Sequence, residues 1–336
     1  MNILFRCERS LEIGMGHIVR CMALAKRLEK DHGCCIKFAI RESEFGIRIV
    51  EESFKVISTP VNDNSLNHSS WLIECIKFSN TDVLILDVRD ELTSGDIKKI
   101  KGNTNVKITT IDDPEEKRLM ADLAFYPPIP QLKRWDWNGF EGKLFSGWDY
   151  VILRPEFQET YLKPKNECPK ILVAMGGTDP QGLTINILNT IDLMEDKFSI
   201  LAMVGPMFMH KAKLDDFCSK SSKIIEIIID PPNVAQIMFS ADLAVISFGM
   251  IAYEVAATKT PAIYIPSSKD HALSAGALVN AGMGISLGYK TKINYHLLEK
   301  KLSQMIGELN STEKPIIHSD LIDGSGATRI ANHILK

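Results

Sequence analysis

Two series of short apolar runs, separated by amphipathic or polar stretches, divide this chain of 336 residues. Such alternation is typical of βα units, because a parallel strand covered by helices on both faces is apolar along its whole length. The pattern predicts an α/β fold with two parallel sheets. The first series consists of Ile3 to Phe5, Ile36 to Ala39, Val83 to Leu86 and Ile108 to Ile111. The second consists of Ile171 to Met175, Phe198 to Val204, Ile224 to Ile229, Leu243 to Ser247 and Ala262 to Pro266.

The region between the two series contains the segments where regular structure is expected to be interrupted. The aromatic, proline-rich stretch from Tyr126 to Pro130 is not expected to continue regular structure, because proline fixes φ and lacks an N–H donor. The polar segment from Tyr161 to Glu167, with a proline at its centre, is the predicted linker. We therefore predict an N-terminal domain over residues 1–160 and a C-terminal domain over residues 161–336.

Composition restricts the class of protein. With 45% hydrophobic and 24% charged residues the chain is typical of a globular protein, and a formal charge of -3 does not favour nucleic acid or an anionic membrane as a partner. The sequence shows no signal peptide at its start and no run long enough to span a membrane. The seven cysteines include no CxxC pair, so we expect them to be reduced and mostly buried. Together these features predict a cytoplasmic protein.

The first strand is followed by Gly14-Met15-Gly16-His17, which opens an amphipathic segment ending near Lys30. At this place in α/β proteins, backbone N–H groups and the positive end of a helix approach a phosphate. Val19 occupies the position where a dinucleotide fingerprint needs a small residue, and no P-loop lysine follows. The motif therefore predicts a phosphate-binding turn that carries His17. A tight turn with an incidental histidine is the alternative.

The second series shows a similar loop after its first strand. The segment Gly176-Gly177-Thr178-Asp179-Pro180 offers a glycine pair, an N-cap candidate in Asp179 and a proline suited to a first helical turn. One glycine pair alone fits an ordinary turn. Two such loops favour a phosphorylated ligand held in a cleft between the two domains.

Two later segments extend the predicted nucleotide site. Ser247 and Gly249 stand where a helix start offers N–H donors to a diphosphate, and Glu254 is placed to accept hydrogen bonds from ribose hydroxyls. The alternative for Glu254 is a solvated helix carboxylate. His271 belongs to a predicted loop, Ser267 to His271, that approaches the sugar or the phosphates. The remaining histidines are expected at the surface: His32, His68, His210, His296, His318 and His333.

Motifs spread over nearly the whole chain resemble those of a known family. They are Arg6-Cys7-Glu8, Ile13 to Cys21, Ile111-Asp112-Asp113, Leu153 to Phe157, Met175 to Pro180 and Ile322 to Ala327. In these segments the chain is similar to the UDP-2,4-diacetamido-2,4,6-trideoxy-β-L-altropyranose hydrolase of pseudaminic acid biosynthesis and to related spore-coat polysaccharide proteins. The resemblance implies a GT-B fold, in which two Rossmann-like domains face each other across a cleft. It also implies a nucleotide bound mainly by the C-terminal domain, and a last helix that returns to the N-terminal one.

The resemblance further implies that His17 is catalytic and that Glu254 binds the ribose. One departure from the family lies two positions after Asp87, where Arg89 replaces an aromatic residue, and Asp270-His271 stands where amide side chains are expected. From the loops and the resemblance together, the predicted substrate-binding and nucleotide-binding residues are Gly14, Gly16, Arg20, Asp87, Gly176, Gly177, Thr178, Ser247, Gly249, Met250, Glu254 and His271.

These groups suit cleavage of a sugar–diphosphate bond. A neutral imidazole, which the positive end of a helix favours, can take a proton from water near neutral pH. Backbone N–H groups would hold the diphosphate, so no cofactor and no metal is expected. The main candidates for metal ligands are the adjacent Asp112 and Asp113, which precede a proline and are taken to mark a turn. Together with the resemblance, which implies the sugar and the pathway, these groups predict an enzyme that cleaves the sugar–diphosphate bond of a UDP-linked diacetamido deoxy sugar with inversion, in nonulosonic acid or surface polysaccharide biosynthesis.

Two alternatives remain at this point. The same residues would serve a glycosyltransferase in which an acceptor hydroxyl replaces water. A nucleotide-sugar-binding protein without catalytic activity is the other. In all three cases the expected partner is a small-molecule nucleotide sugar, and the oligomeric state is not predicted.

Overall fold

The computed structural model describes residues 1–7, 15–41, 48, 50–59, 67–90, 92–289, 292–309 and 319–336. The chain divides into two compact units. Unit 1 consists of Met1–Ile129, Arg134–Arg154 and Gly324–Lys336, and unit 2 consists of Pro130–Lys133 and Pro155–Asp323. The predicted linker from Tyr161 to Glu167 contains no helix or strand. None of the described helices combines the length and the apolar character needed to cross a bilayer.

Unit 1 is built on a parallel sheet. Its strands are β1 (Asn2–Cys7), β2 (Cys35–Ile40), β3 (Lys55–Ser58), β4 (Val83–Asp87), β5 (Lys107–Ile111), β6 (Leu123–Tyr126) and β7 (Lys143–Ser146). Their order in the sheet is β3-β2-β1-β4-β5-β6-β7. The order reverses between β1 and β4, where Phe5 lies in register with both Phe38 and Ile85. At such a reversal the carboxyl ends of the strands leave a crevice in which α/β proteins bind their ligands.

The four strands predicted in this unit are confirmed as β1, β2, β4 and β5. Three described strands were not predicted, namely β3, β6 and β7. Of these, β3 and β7 are short edge strands whose residues are largely exposed or half-buried and form no apolar run. The expectation that regular structure is already interrupted at Tyr126 is wrong. Tyr126 is the last residue of β6, and only the prolines after it end the strand.

Helices cover both faces of this sheet. They are α1 (Gly16–His32), α2 (His68–Ser79), α3 (Ser94–Asn103) and a C-terminal helix (Gly326–Ile334). The first and last of these pack on one face, where Leu24 and Ile330 share a buried cluster with Phe5. The other two pack on the opposite face with Leu4, since successive residues of a strand point to opposite sides. The packing of α1 on the sheet therefore fixes the position of this helix, and with it the position of its first turn.

Unit 2 repeats this architecture. Its strands are β8 (Lys170–Ala174), β9 (Ser199–Val204), β10 (Ile225–Ile229), β11 (Leu243–Ser247), β12 (Ala262–Ile265) and β13 (Gly284–Ser286). Its helices are α4 (Leu183–Asp192), α5 (Lys211–Lys220), α6 (Val234–Ser240), α7 (Met250–Ala257), α8 (Lys269–Asn280) and α9 (Tyr295–Leu309). The strand order is β10-β9-β8-β11-β12-β13, which reverses between β8 and β11. All five strands predicted for the second series are confirmed, and the three-residue β13 was missed.

Short 3₁₀ turns complete the described structure at Glu116–Met120, Pro130–Lys133, Trp148–Tyr150, Pro155–Gln158 and Ser319–Leu321. All seven cysteines are free thiols, and four of them are buried. The expected surface position is wrong for His68, whose side chain is only 9% exposed and lies beside Arg41. His210 and His333 are half-buried: the Nε2 atom of His210 is buried, and the His333 ring centroid lies 4.1 Å from that of Phe145. His318 lies outside the described residues.

Candidate functional site

His17 and Asp87 form a hydrogen-bonded pair at the point where the strand order of unit 1 reverses. His17 is the second residue of α1, and Asp87 is the last residue of β4. His17 Nδ1 lies 2.5 Å from Asp87 Oδ1. Because an ionised carboxylate only accepts hydrogen bonds, the network assigns the ring proton to Nδ1. With the proton on Nδ1, Nε2 is the ring nitrogen that can accept a proton.

Arg20 binds the same carboxylate through both of its oxygens. Arg20 Nε lies 2.5 Å from Asp87 Oδ2, and Arg20 Nη2 lies 2.5 Å from Asp87 Oδ1. The thiol of Cys21, one helical turn after His17, adds a contact of 3.4 Å between its Sγ and Asp87 Oδ2. Each carboxylate oxygen therefore has two partners, and the orientation of the acceptor that holds His17 is fixed.

Asp87 remains ionised although it is only 1% exposed. Burial alone would raise the pKa of its carboxyl, but attraction by Arg20, together with the hydrogen bonds donated by Arg20 and His17, outweighs burial and holds the pKa below its usual range. For Arg20, burial lowers the pKa and the Asp87 carboxylate raises it, with a net rise. The pair thus presents a permanent anion to the imidazole.

Asp112 and Asp113, in the turn after β5, face cationic side chains. Arg20 Nη1 donates to Asp112 Oδ2 at 3.0 Å. Asp113 is 2% exposed, accepts the N–H of Glu115 at 2.8 Å and lies 3.5 Å from the Lys117 ammonium. Within the part of the chain that the structure describes, no cluster of three or more histidine, cysteine, aspartate or glutamate side chains is arranged to hold a metal ion.

We expect the stability of the protein to fall as the pH rises from about 4 to about 6, through Asp113. Burial raises the pKa of this carboxyl to about 6, and Lys117, the Glu115 N–H and Arg89 offset burial only in part. Since the pKa in the unfolded chain is near 3.9, the folded state binds the extra proton between these values, and the free energy of unfolding drops by up to about 3 kcal/mol. Denaturant unfolding of Asp113→Asn at pH 4, 5, 6 and 7 should show this component removed. A variant with the wild-type pH slope would contradict the assignment.

In unit 2, Gly176 and Ser247 meet where the strand order reverses. Gly176 has a φ of 99°, which favours glycine, and a Cβ built on it would lie 4.0 Å from Ser247 Oγ. Gly177 packs closely against Gly205, where an added Cβ would come within 2.4 Å of the Gly177 carbonyl oxygen. Thr178 is buried behind this loop. The backbone of the loop is therefore held tightly against the loop that follows β9.

The helix after this loop begins later than predicted. Its first residue is Leu183, and Gly182, with a φ of 65°, takes the N-cap position, so Pro180 does not lie in the first turn. The Asp179 carboxylate nevertheless accepts the N–H groups of Leu183 at 2.9 Å and Thr184 at 2.7 Å. A carboxylate of the chain therefore already satisfies these two N–H donors.

The start of α7 has a different character. Gly249 occupies its N-cap position without a side-chain cap, and Met250 is its first residue. N–H groups at an uncapped helix start are suited to an anion. Glu254, one turn further along, is 6% exposed. The alternative of a solvated carboxylate therefore does not describe Glu254.

His271 lies in the first turn of α8 and not in a loop, which corrects the prediction. The N-cap residue Ser268 accepts the His271 N–H at 3.1 Å, and this capping extends the helix back to Lys269. His271 Nδ1 lies 2.9 Å from Ser267 Oγ, and its ring centroid lies 5.6 Å from that of Phe248. Phe248 therefore connects His271 with the segment that precedes α7.

The predicted residues thus fall into one group in each unit, apart from Gly14, which lies outside the described residues. The group in unit 1 consists of Gly16, His17, Arg20 and Asp87. The group in unit 2 consists of Gly176, Gly177, Thr178, Ser247, Gly249, Met250, Glu254 and His271. The sequence reasoning missed Cys21 and Phe248. The spacing of four residues between His17 and Cys21 on one helix was the available signal for the first.

The fold is that of the GT-B proteins. MurG of Acinetobacter baumannii superposes with a TM-score of 0.67 at 13% identity, over 100% of this chain and 99% of that one. S. aureus MnaA, solved with UDP, gives a TM-score of 0.66 at 15% identity, over 99% and 95% of the two chains. At such identities the likeness shows the fold alone. The predicted α/β class of GT-B type, with two Rossmann-like domains, is confirmed.

Sequence comparison is more specific, although no family model matches the chain. Spore coat polysaccharide biosynthesis protein SpsG of Bacillus subtilis is 25% identical over 342 residues, which cover 98% of this chain and 96% of that protein. The UDP-2,4-diacetamido-2,4,6-trideoxy-β-L-altropyranose hydrolase of Campylobacter jejuni is 27% identical over 295 residues, 86% of this chain and 100% of the hydrolase. The predicted family resemblance is confirmed, and the chain is a GT-B homologue of these two proteins.

A third relative is an uncharacterized protein of Methanocaldococcus jannaschii, 31% identical over 277 residues and 79% of this chain. The match spans only 55% of that archaeal protein. The chain is thus similar to about half of one relative and to nearly the whole length of the other two.

Proposed function

We propose that this protein is a nucleotide-sugar hydrolase, which cleaves the sugar–diphosphate bond of a UDP-linked diacetamido deoxy sugar with inversion. The observation that carries the proposal is the hydrogen bond between His17 Nδ1 and Asp87 Oδ1. It fixes the tautomer of the imidazole, so that Nε2 is the nitrogen available to take a proton at the carboxyl end of the sheet in unit 1. The names of the two homologues support the class of substrate and a place in nonulosonic acid or surface polysaccharide biosynthesis.

In the proposed reaction, His17 Nε2 takes a proton from water while the water oxygen forms a bond to the anomeric carbon. The bond between that carbon and the diphosphate oxygen breaks, and its electron pair leaves with UDP. The resulting imidazolium is stabilised by the Asp87 carboxylate, which Arg20 and Cys21 hold in place. A single displacement of this kind inverts the configuration at the anomeric carbon. Asp87 and Arg20, predicted as ligand-binding residues, are on this proposal positioning residues.

We assign nucleotide binding to unit 2. The close packing of Gly205 on Gly177 holds the glycine loop after β8 in place, and α7 begins without a side-chain cap, so its first N–H groups suit a phosphate. The buried Glu254 lies one turn further along this helix, which suits an acceptor for vicinal ribose hydroxyls. His271 and Phe248 extend the same surface at the start of α8. Nucleotide binding and water activation are both needed for one substrate, so assays require the full chain.

Activity is expected to survive chelation of divalent metals. Asp112 and Asp113, the main candidates for a metal site in the sequence, face Arg20 and Lys117 in the structure. Backbone donors can stabilise a departing diphosphate without an ion. The test is release of free nucleotide from a panel of UDP- and CMP-linked sugars, with and without EDTA and with and without an added acceptor. Loss of turnover in EDTA and its recovery with magnesium would contradict this mechanism, and turnover only with an acceptor would favour a glycosyltransferase.

A further inference from the structure

We propose that Arg89 is a specificity-determining residue that recognises an acetamido carbonyl oxygen of the sugar. The proposal rests on the nucleotide-sugar function given above and deepens it. Arg89 lies two residues after Asp87, beyond the carboxyl end of β4, and so stands at the same edge of the sheet as His17. Its side chain is 30% exposed. A ligand at this edge therefore has access to it.

The guanidinium of Arg89 faces two carboxylates, yet its hydrogen-bonding capacity is unused within the described residues. Its Nη2 lies 3.8 Å from Asp112 Oδ2, and its Nη1 lies 3.8 Å from Asp113 Oδ1. Both distances exceed that of a hydrogen bond. The two carboxylate oxygens already accept shorter bonds, from Arg20 at 3.0 Å and from the Glu115 N–H at 2.8 Å. Within the described residues, none of the N–H groups of Arg89 donates a hydrogen bond.

The charges around Arg89 indicate which kind of group it binds. The connected ion pairs contain Arg20, Arg89 and Lys117 as cations, and Asp87, Asp112, Asp113 and Glu115 as carboxylates. The cations do not outnumber the carboxylates, so the cluster offers no net positive charge to an anionic substituent. A neutral oxygen acceptor gains hydrogen bonds from the charged Arg89 guanidinium and leaves the balance between cations and carboxylates unchanged. An amide carbonyl is such an acceptor, and it is a stronger acceptor than a sugar hydroxyl.

The test uses two commercially available probes, UDP-N-acetylglucosamine and UDP-glucose, which carry an acetamido group and a hydroxyl at C2 respectively. Their affinities, and that of UDP, are measured by calorimetry on the full chain carrying His17→Asn, so that no turnover interferes. Arg89→Met removes the donors and keeps the length of the side chain, and Arg89→Lys keeps the charge but loses the planar fork. Arg27→Met is the matched control, since Arg27 is an arginine of similar exposure on α1 that pairs with Asp31.

We expect the parent chain to prefer the acetamido probe and Arg89→Met to lose about tenfold or more of that preference, the usual effect of a charged hydrogen-bond donor. UDP affinity should stay unchanged in Arg89→Met, Arg89→Lys should retain part of the preference, and Arg27→Met should retain all of it. A parent chain without preference, or a preference kept in Arg89→Met, overturns the role of Arg89. Absence of UDP binding in the parent chain instead contradicts the proposed function.

Discussion

His17→Asn is expected to lower kcat by roughly two to four decades while UDP affinity stays close to that of the wild type. The asparagine side-chain N–H₂ group can still donate one hydrogen bond to the Asp87 carboxylate, so the first turn of α1 keeps its contact with β4. It has no group that takes a proton from water near neutral pH. The measurement is steady-state turnover of the UDP-linked sugar together with calorimetric titration of UDP.

The matched control for this substitution is His296→Asn, because His296 is an exposed histidine on α9. That variant should retain full activity. Wild-type turnover by His17→Asn would show that another group activates the water, and the catalytic assignment would have to be withdrawn.

Asp87→Asn should have two large effects, one on activity and one on stability. In the wild type, two nitrogens of Arg20 and His17 Nδ1 share the two oxygens of the Asp87 carboxylate. Asparagine offers them a single acceptor oxygen. If the amide N–H₂ group faces Nδ1, the ring proton moves to Nε2 and the base is lost, so kcat should fall by about two to four decades. Arg20 also loses its closest counter-charge in a buried site, which should lower the free energy of unfolding by about 3 kcal/mol. The remaining bond from Arg20 to Asp112 places this cost at the lower end of the usual range.

Denaturant unfolding and turnover together separate these effects. Asp31→Asn, which breaks the more exposed pair between Arg27 and Asp31, should change the free energy of unfolding by no more than about 1 kcal/mol and leave turnover intact. If Asp87→Asn were as active and as stable as Asp31→Asn, the carboxylate would be neither an orienting group nor a buried counter-ion.

Much of this architecture could be predicted from the sequence, because its signals are local. The buried parallel strands are continuous apolar runs, and the start of α1 is marked by the glycines before His17. The edge strands β3 and β7 gave no such signal, since exposed positions interrupt their apolar residues. The start of α4 was misplaced because Asp179 caps it from a left-handed turn that depends on Gly182, which a simple N-cap rule does not describe.

The residues of the candidate site could be predicted from the sequence, but the contacts between them could not. Arg20 and Asp87 are separated by 67 residues, and only the pairing of β1 with β4 brings them together. A sequence pattern therefore indicates both residues without showing that one holds the other. The same holds for Asp112, which contacts Arg20 across 92 residues and was considered only as a turn or a metal ligand. Such long-range pairs follow from sheet topology, which local spacing does not encode.

The most direct test of water activation by His17 is hydrolysis of UDP-2,4-diacetamido-2,4,6-trideoxy-β-L-altropyranose by the full chain in ¹⁸O-labelled water, with EDTA and without an acceptor. Mass spectrometry of both products locates the label, and NMR at early times gives the anomeric configuration of the released sugar. The account predicts one ¹⁸O atom in the sugar, none in UDP, and an inverted anomeric centre. Label in UDP, retained configuration, or no release of sugar without an acceptor would contradict it.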